Sequence, residues 1–82
     1  MFYRYIIYSA SSDKYYIGSC ENLDARIQQH NAGRNISTKH GIPWVIKYSE
    51  EFPTRMDAMK REKEIKNKKS RKYIEWLISS VG

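Results

Sequence analysis

The stretch "KYYIGSCENLDARIQQH", residues 14–30, decides the fold of this chain because it holds a strand, a turn and the start of a helix. Its first part is rich in aromatic and β-branched residues, which favour a strand. Gly18 is unfavourable inside a strand and indicates that another group approaches the backbone closely there. Asn22 can cap the helix that follows, and Gly33 can end it in the left-handed conformation.

The segment before this stretch predicts a β-hairpin. Residues 2–9, "FYRYIIYS", have strand composition, and the polar "ASSD" of residues 10–13 separates them from the next strand. Side chains alternate between the two faces of a strand, so a four-residue loop places Tyr5 and Tyr16 on the same face. A slip of one residue in register would separate them.

The rest of the chain supplies three more elements after a polar, basic loop. These are a third strand over 43–52, a helix opened by the Thr54 cap, and a last helix capped by Ser70. The predicted order is β-β-α-β-α-α, with a small mixed or antiparallel sheet covered by helices. The fold class is α/β in the broad sense, of the α+β type.

Length and charge limit what the protein can be. Eighty-two residues without a linker predict one domain over 1–82, and no apolar run is long enough to cross a membrane. The N-terminus does not resemble a signal peptide, so the expectation is a soluble cytoplasmic protein. The net charge is +6, with 15 Lys and Arg against 9 acids and a basic cluster over 60–72. Such a surface favours nucleic-acid binding, although many solvated helices are equally lysine-rich.

Cysteine usage excludes two kinds of site. Cys20 is the only cysteine and there are two histidines, so neither an internal disulfide nor a Cys/His zinc site can form. Cys20 beside His30 or His40 would be a conceivable nucleophile, but a lone cysteine is more often an inert buried residue. Catalysis is therefore left to tyrosine, arginine, histidine, lysine and carboxylate side chains.

Glu62 is an acidic residue on the face of its helix that is predicted to be buried. On a helical wheel it shares one arc with Ala58, Met59 and Ile65, which predicts that it faces the sheet. A carboxylate there is costly unless it is paired or binds a cation. One interpretation is a structural ion pair with Arg26 or a lysine. The other is a metal ligand, since one carboxylate with water and phosphate oxygens suits Mg²⁺.

Two tyrosines and a histidine also have two interpretations. Tyr5 and Tyr16, taken singly, are explained as core aromatics whose hydroxyl reaches water. A phenol near a metal and a cation can instead lose its proton and act as a general base. His30 can accept a proton from a tyrosine hydroxyl, and Arg26 can complement charge growing on a phosphate.

The joint spacing of these residues resembles the GIY-YIG nuclease superfamily. The matching parts are "YRY" at 3–5, "YIG" at 16–18, Arg26, His30 and Glu62. The segments "NLDARIQQHNAG" and "EEFPTRMDAMKREKEIK" look like the small stand-alone, single-domain branch, and the resemblance covers nearly the whole chain. It implies a three-stranded antiparallel sheet flanked by helices and an endonuclease that hydrolyses phosphodiester bonds with Mg²⁺ or Mn²⁺.

The resemblance also implies a set of site residues. The matching positions are the catalytic Tyr5, Tyr16, Arg26, His30 and Glu62, with Gly18 as the motif glycine. In this family pattern either tyrosine activates the attacking water, Arg26 stabilises the pentacovalent transition state and His30 assists proton movement. Glu62 is the metal ligand. The expected contacts with nucleic acid are Lys14, Lys39, Lys63, Lys66 and Lys69.

Departures from the family pattern bear on the substrate. The first motif keeps only its final tyrosine, and no separate DNA-recognition domain is evident. We therefore expect structure-selective or weakly specific cutting of DNA, in repair or processing, with RNA left open as a substrate. The rival hypothesis is a nuclease fold that binds nucleic acid without cutting it. The third hypothesis is an adaptor that works only with a protein partner.

Overall fold

The computed structural model describes residues 1–68 and 70–80. Lys69, one of the predicted nucleic-acid contacts, and the last two residues of the predicted domain lie outside this part. The elements, in chain order, are β1 (Phe2–Ser9), β2 (Lys14–Cys20), α1 (Leu23–Asn31), a short 3-10 helix (Lys39–Gly41), β3 (Trp44–Phe52), α2 (Arg55–Lys68) and α3 (Arg71–Ser80). The three strands form an antiparallel sheet in the order β2-β1-β3. The predicted fold class and element order are confirmed.

The β1–β2 hairpin has the register that the sequence predicts. Residues 10–13 connect the two strands, Tyr5 pairs with Gly18, and Ile7 pairs with Tyr16. Cross-strand partners share a face, so Tyr5 and Tyr16 lie diagonally on the same side of the sheet. Because β1 is the central strand, β2 keeps one unpaired edge, and this edge runs beside the candidate site.

Each face of the sheet carries its own hydrophobic cluster. The face covered by α1 contains Tyr5, Ile7, Cys20 and Trp44. The face covered by α2 and α3 contains Ile6, Ile17, Ile65 and Leu77. Successive side chains of β1 point to opposite faces of the sheet, so this strand contributes to both clusters. The packing of the helices against the two clusters therefore fixes their positions relative to the strands.

The predicted helix caps are formed. The Asn22 side chain accepts a hydrogen bond from the backbone of Ala25 at 3.0 Å, and Gly33, which follows the C-cap residue Ala32, has a φ of 76°. Thr54 and Ser70 each accept a backbone hydrogen bond at 3.2 Å in the first turns of α2 and α3. The ends of the helices thus follow local side-chain chemistry.

The inward arc of α2 is narrower than predicted. Ala58 and Ile65 are fully buried, but Met59 is 57% exposed. The buried face of α2 follows its contacts with β1 and β2 and leaves Met59 at the mouth of a cleft. Glu62 lies at the border, with a quarter of its side chain exposed.

A buried ionic network ties α2 to the sheet. Arg4 on β1 is completely buried and donates two hydrogen bonds to Glu50 on β3, at 3.0 and 2.7 Å. Glu50 also accepts from Arg61 on α2 at 3.1 Å and from the Tyr48 hydroxyl at 2.8 Å. Burial raises the pKa of Glu50, but these hydrogen bonds outweigh it and hold the pKa below its ordinary value. The network fixes the helix turn that carries Glu62.

None of the helices in the described residues combines the length and apolar character needed to span a lipid bilayer.

Candidate active site at the unpaired edge of strand β2

A hydrogen-bonded chain runs through the core beneath α1. The Tyr5 hydroxyl lies 2.9 Å from Nε2 of His30, and Nδ1 of His30 lies 2.7 Å from Oγ1 of Thr38. All three residues are at most 2% exposed. Thr38 belongs to the loop after α1, so strand, helix and loop are joined through the two ring nitrogens of His30.

The partners of this chain set the direction of its hydrogen bonds. Thr38 Oγ1 is within 3.4 Å of the Asn35 carbonyl, which can only accept, so the hydroxyl donates there. Thr38 then accepts from Nδ1–H of His30, which leaves Nε2 as the acceptor for the Tyr5 hydroxyl. His30 is therefore placed to take a proton from Tyr5.

The pKa shifts of Tyr5 and His30 fit a proton transfer from the tyrosine to the histidine. Burial, followed by the neighbouring Tyr16, raises the pKa of Tyr5 above its ordinary value. Burial, followed by the positive charge of Arg26, lowers the pKa of His30. At neutral pH the tyrosine is protonated and the histidine is an unprotonated acceptor. Tyr5 alone is thus a poor base, whereas the Tyr5–His30 pair can accept a proton.

Gly18 makes room for this chain. A Cβ at position 18 would overlap the Tyr5 hydroxyl, and the next ring carbon would lie only 2.6 Å away. The close approach that the sequence predicts at Gly18 is therefore that of the tyrosine side chain. Gly18 lies on the edge strand β2, so the Tyr5 side chain extends from the central strand β1 over this edge strand.

Tyr16 belongs to the same aromatic cluster but is more accessible. Its ring meets the His30 ring edge-on, with centroids 5.2 Å apart, and it also packs against Trp44. The residue is half-buried, and it lines a different cleft from Arg26 and Glu62.

Arg26 and Glu62 line one cleft at the edge of β2, called the first cleft below. It has a volume of about 580 Å³ and lies between the end of β2, α1 and α2. Its polar lining includes Ser19, Arg26, Arg55 and Glu62. Arg26 makes no ion pair with any residue in 1–68 or 70–80. Its guanidinium is therefore available to an anionic ligand.

The Glu62 carboxylate is held by two neighbours. Ser19 on β2 donates a hydrogen bond to Oε1 at 2.6 Å, and Lys66 donates to Oε2 at 3.0 Å, one turn further along α2. The lysine pair is the structural interpretation that the sequence leaves open, with Lys66 rather than Arg26 as the partner. Because Lys66 is half exposed, the pair is a weak one that another cation can replace.

The donor set fits only one kind of metal site. No cluster of three or more His, Cys, Asp or Glu side chains that could hold an ion occurs in the described ranges. Glu62 alone offers one carboxylate on a wide cleft. Mg²⁺ is commonly bound in this way, through one or two carboxylates with its remaining ligands from water and substrate phosphate. The residues therefore fit Mg²⁺, or the related Mn²⁺, and do not fit a metal caged by protein ligands alone.

The five predicted site residues are gathered around one strand edge but do not share one cavity. Arg26 and Glu62 line the first cleft. Tyr5 is buried on the neighbouring strand β1, and Arg26 and Glu62 both influence the pKa of its hydroxyl. His30 touches a shallower depression of about 330 Å³ that Arg26 also lines. Arg26 thus lines both the first cleft, with Glu62, and the depression at His30.

Three residues of the site were not singled out from the sequence. Thr38 orients His30, Ser19 holds Glu62, and Arg55 lies 3.3 Å from Glu21 at the first cleft. Arg55 directly follows the predicted Thr54 cap, so its place at the start of a helix beside the strand edge was a usable signal. The pairing of Thr38 with His30 depends on the path of a loop, for which the sequence carries no pattern.

The remaining predicted residues fall in different places. Lys66 and Lys14 line a second cleft, described below. Lys39 and Lys63 are exposed but line neither the first nor the second cleft. Cys20 is buried, and burial raises the pKa of its thiol, so it is the inert residue rather than the nucleophile.

Comparison with known proteins gives three related findings. Residues 1–74 match the model of the GIY-YIG catalytic domain. A UPF0213 protein of Staphylococcus haemolyticus is 42% identical over 65 residues, which cover 78% of each of the two chains. A UPF0213 protein of Staphylococcus aureus is 36% identical over 61 residues, which cover 73% of this chain and 74% of the relative. The solution structure of a UPF0213 protein from Bacillus halodurans superimposes with a TM-score of 0.58 at 31% identity, over 96% of this chain and 84% of that one.

Proposed function

The chain belongs to the GIY-YIG catalytic-domain family, which is a nuclease family, and we propose that it is a divalent-metal-dependent endonuclease that hydrolyses phosphodiester bonds in DNA. The observation that carries the proposal is that Arg26 and Glu62 line one cleft beside the buried Tyr5–His30 pair. A cation, a carboxylate and a proton acceptor at one strand edge are the groups that phosphodiester hydrolysis needs.

In the proposed reaction the scissile phosphate lies in the first cleft. Arg26, which has no ion-pair partner in the described residues, faces the charge that grows on the phosphate oxygens. Glu62 would hold Mg²⁺ or Mn²⁺. The ion supplies neutralisation of the phosphate and of the leaving oxygen.

Proton removal from the attacking water is assigned to the Tyr5–His30 pair. Tyr5 keeps its own proton at neutral pH, because burial raises its pKa. It can take the proton of water only while it passes its own to Nε2 of His30, which lies 2.9 Å away. Tyr16 has the alternative role of a direct base, because it is more exposed and its ring also contacts His30.

The substrate is a nucleic acid that the enzyme recognises by shape. Arginine and serine in the first cleft suit phosphate and sugar contacts, which carry no sequence information. We therefore propose structure-selective or weakly specific cutting of DNA during repair or processing in the bacterial cytoplasm. Nothing in the cleft chemistry distinguishes DNA from RNA, and a protein partner is compatible with it.

Cleavage assays on branched, single-stranded and duplex DNA with Mg²⁺ or Mn²⁺ test the proposal. The expected result is metal-dependent cutting that is lost in Glu62→Ala. If no substrate is cut, or if the variant cuts as fast as the parent protein, the catalytic proposal fails.

A non-catalytic nucleic-acid-binding module is the second candidate, and the Glu62–Lys66 pair favours it. A carboxylate already paired with lysine at 3.0 Å has a structural role without any metal. This candidate predicts salt-dependent binding of DNA with no metal-dependent cleavage. An adaptor would instead show cleavage that is restored by cell extract.

A further inference from the structure

A second cleft lies beside the first along the same strand edge. It has a volume of about 480 Å³ and lies between the first half of β2 and the helices α2 and α3. Ile17, Ile65 and Ile74 form an apolar floor, and Lys14 and Lys66 supply cations. A volume of this size falls within the range of small-molecule sites.

The two clefts are connected through one turn of α2. Glu62 lines the first and Lys66 lines the second, and their side chains are hydrogen-bonded at 3.0 Å. Along β2 the second cleft reaches Ile17 and the first begins at Ser19, a distance of roughly 7 Å. About two stacked nucleotides span this length. A strand whose phosphate lies in the first cleft therefore reaches the second.

The composition of the second cleft suits a nucleotide better than an uncharged ligand. An apolar floor accepts the face of a base, because contact with it removes apolar surface from water. The Lys14 ammonium group donates hydrogen bonds to a phosphate, and Lys66 adds positive charge nearby while it pairs with Glu62. Lys14 is exposed and has no ion-pair partner among residues 1–68 and 70–80. Arg71 also lines the cleft, but Asp13 holds it at 2.6 Å and leaves it less free to bind a ligand.

Base pairing decides which nucleotides can enter. In a duplex the faces of the bases are covered by stacking, so only an unpaired nucleotide can lay its base on Ile17 and Ile74. We propose that the second cleft binds an unpaired nucleotide a few positions from the scissile phosphate, which makes the substrate a DNA with a single-stranded stretch at the cut. The proposal rests on the proposed nuclease function for the position of the phosphate in the first cleft.

A binding measurement without metal tests this proposal independently of catalysis. Fluorescence anisotropy in EDTA compares a fully paired duplex with the same duplex carrying a short unpaired flap. Burial of the apolar face of one base on this floor predicts that the parent protein binds the flapped DNA at least about fivefold more tightly. Ile74→Trp, which fills the cleft from a half-exposed position, is expected to bring the two affinities within about twofold. Ile78→Trp, one turn further along α3 and outside the cleft, is its matched control.

A second pair of variants keeps the test valid if Ile74→Trp does not fold. Lys14→Gln removes an exposed cation from the second cleft, and Lys47→Gln removes one from β3 at the opposite side of the sheet. Lys14→Gln should weaken binding of the flapped DNA more than that of the duplex, and Lys47→Gln should affect both equally. Equal affinities of the parent protein for the two DNAs, or an unchanged preference in both cleft variants, would overturn the proposal.

The same experiment separates the two proposals. If the flap preference is present and depends on Ile74, but no DNA is cut with Mg²⁺, the second cleft stands and the nuclease function fails. If DNA is cut but paired and flapped substrates bind alike, the nuclease function stands and the second cleft is no nucleotide site.

Discussion

The hydroxyl group of Tyr5 lies where the Cβ of any larger residue at position 18 would be placed. Tyr5 and Gly18 are paired across β1 and β2, so the glycine removes the side chain that would otherwise block the ring. This relationship lets a buried tyrosine reach the strand edge and still bond to His30 at 2.9 Å. A glycine that weakens the strand locally thus makes the proposed proton acceptor possible.

Substituting Gly18 by alanine should disturb both stability and the candidate site. The added Cβ overlaps the Tyr5 hydroxyl, so the ring must move, and overpacking of this kind typically costs about 1–3 kcal/mol. Urea unfolding measures the loss. Ser49→Ala, at the exposed partner of Tyr5 on β3, is the control and should change stability by less than about 0.5 kcal/mol. Equal stability of Gly18→Ala and the parent protein would show that the ring is not confined.

The buried Arg4–Glu50 pair predicts an asymmetry between its two residues. Glu50→Ala leaves the Arg4 charge buried without a partner and should cost about 3 kcal/mol. Arg4→Met should be far milder, because Glu50 keeps Arg61 and Tyr48 as partners. It also removes the buried nitrogen of Arg4 that has no hydrogen-bond partner within residues 1–68 and 70–80. Thermal unfolding of both variants checks the order, and a larger loss in Arg4→Met would contradict it.

Stability should fall in mild acid because of His30. Burial, and then Arg26, lowers the folded-state pKa of His30 below the value of about 6.5 in the unfolded chain. Between the two values the unfolded chain binds more protons, so stability is complete above pH 6.5 and is lost as the pH falls toward the folded-state pKa. Unfolding free energies at several pH values should show this slope. His30→Gln should flatten it below about pH 6.5, whereas the exposed His40→Gln should retain it.

Removing the Tyr5 hydroxyl should slow cleavage more than it unfolds the protein. Tyr5→Phe deletes the group that passes a proton to His30, and general-base catalysis is typically worth about 10²- to 10⁴-fold in rate. Single-turnover cleavage rates measure the loss. Tyr3→Phe, on the same face of β1 and outside the hydrogen-bonded chain, should retain the parent rate. A rate in Tyr5→Phe within a few fold of the parent would assign the base to Tyr16 instead.

The parts of the fold governed by local chemistry could be predicted from the sequence. The bounds of β1, the caps at Asn22, Thr54 and Ser70, and the common face of Tyr5 and Tyr16 all follow from alternation, turn length and capping. These features depend on residues close together in the chain. The sequence pattern alone is therefore sufficient to predict these features.

Features that join distant segments could not be predicted in the same way. Arg4 meets Glu50 through the pairing of β1 with β3, whose register shifts between Ile6 and Ile7, and an irregularity of this kind leaves no clear trace in the sequence. Thr38 meets His30 through a loop. For the site itself, the family resemblance supplied the residues, and their division between a buried proton acceptor and an open cleft required the structure.

Glu62 and Glu64 provide the most direct test of the central claim, that the first cleft is a metal-dependent active site. Both lie on α2, but Glu62 borders the first cleft while Glu64 is mostly exposed and pairs with Arg61. Cleavage of flapped DNA with Mn²⁺ should be measured for Glu62→Gln and Glu64→Gln, together with Mn²⁺ binding by calorimetry. The account predicts that Glu62→Gln loses both cleavage and Mn²⁺ binding while Glu64→Gln retains them. Equal cleavage by the two variants would contradict it.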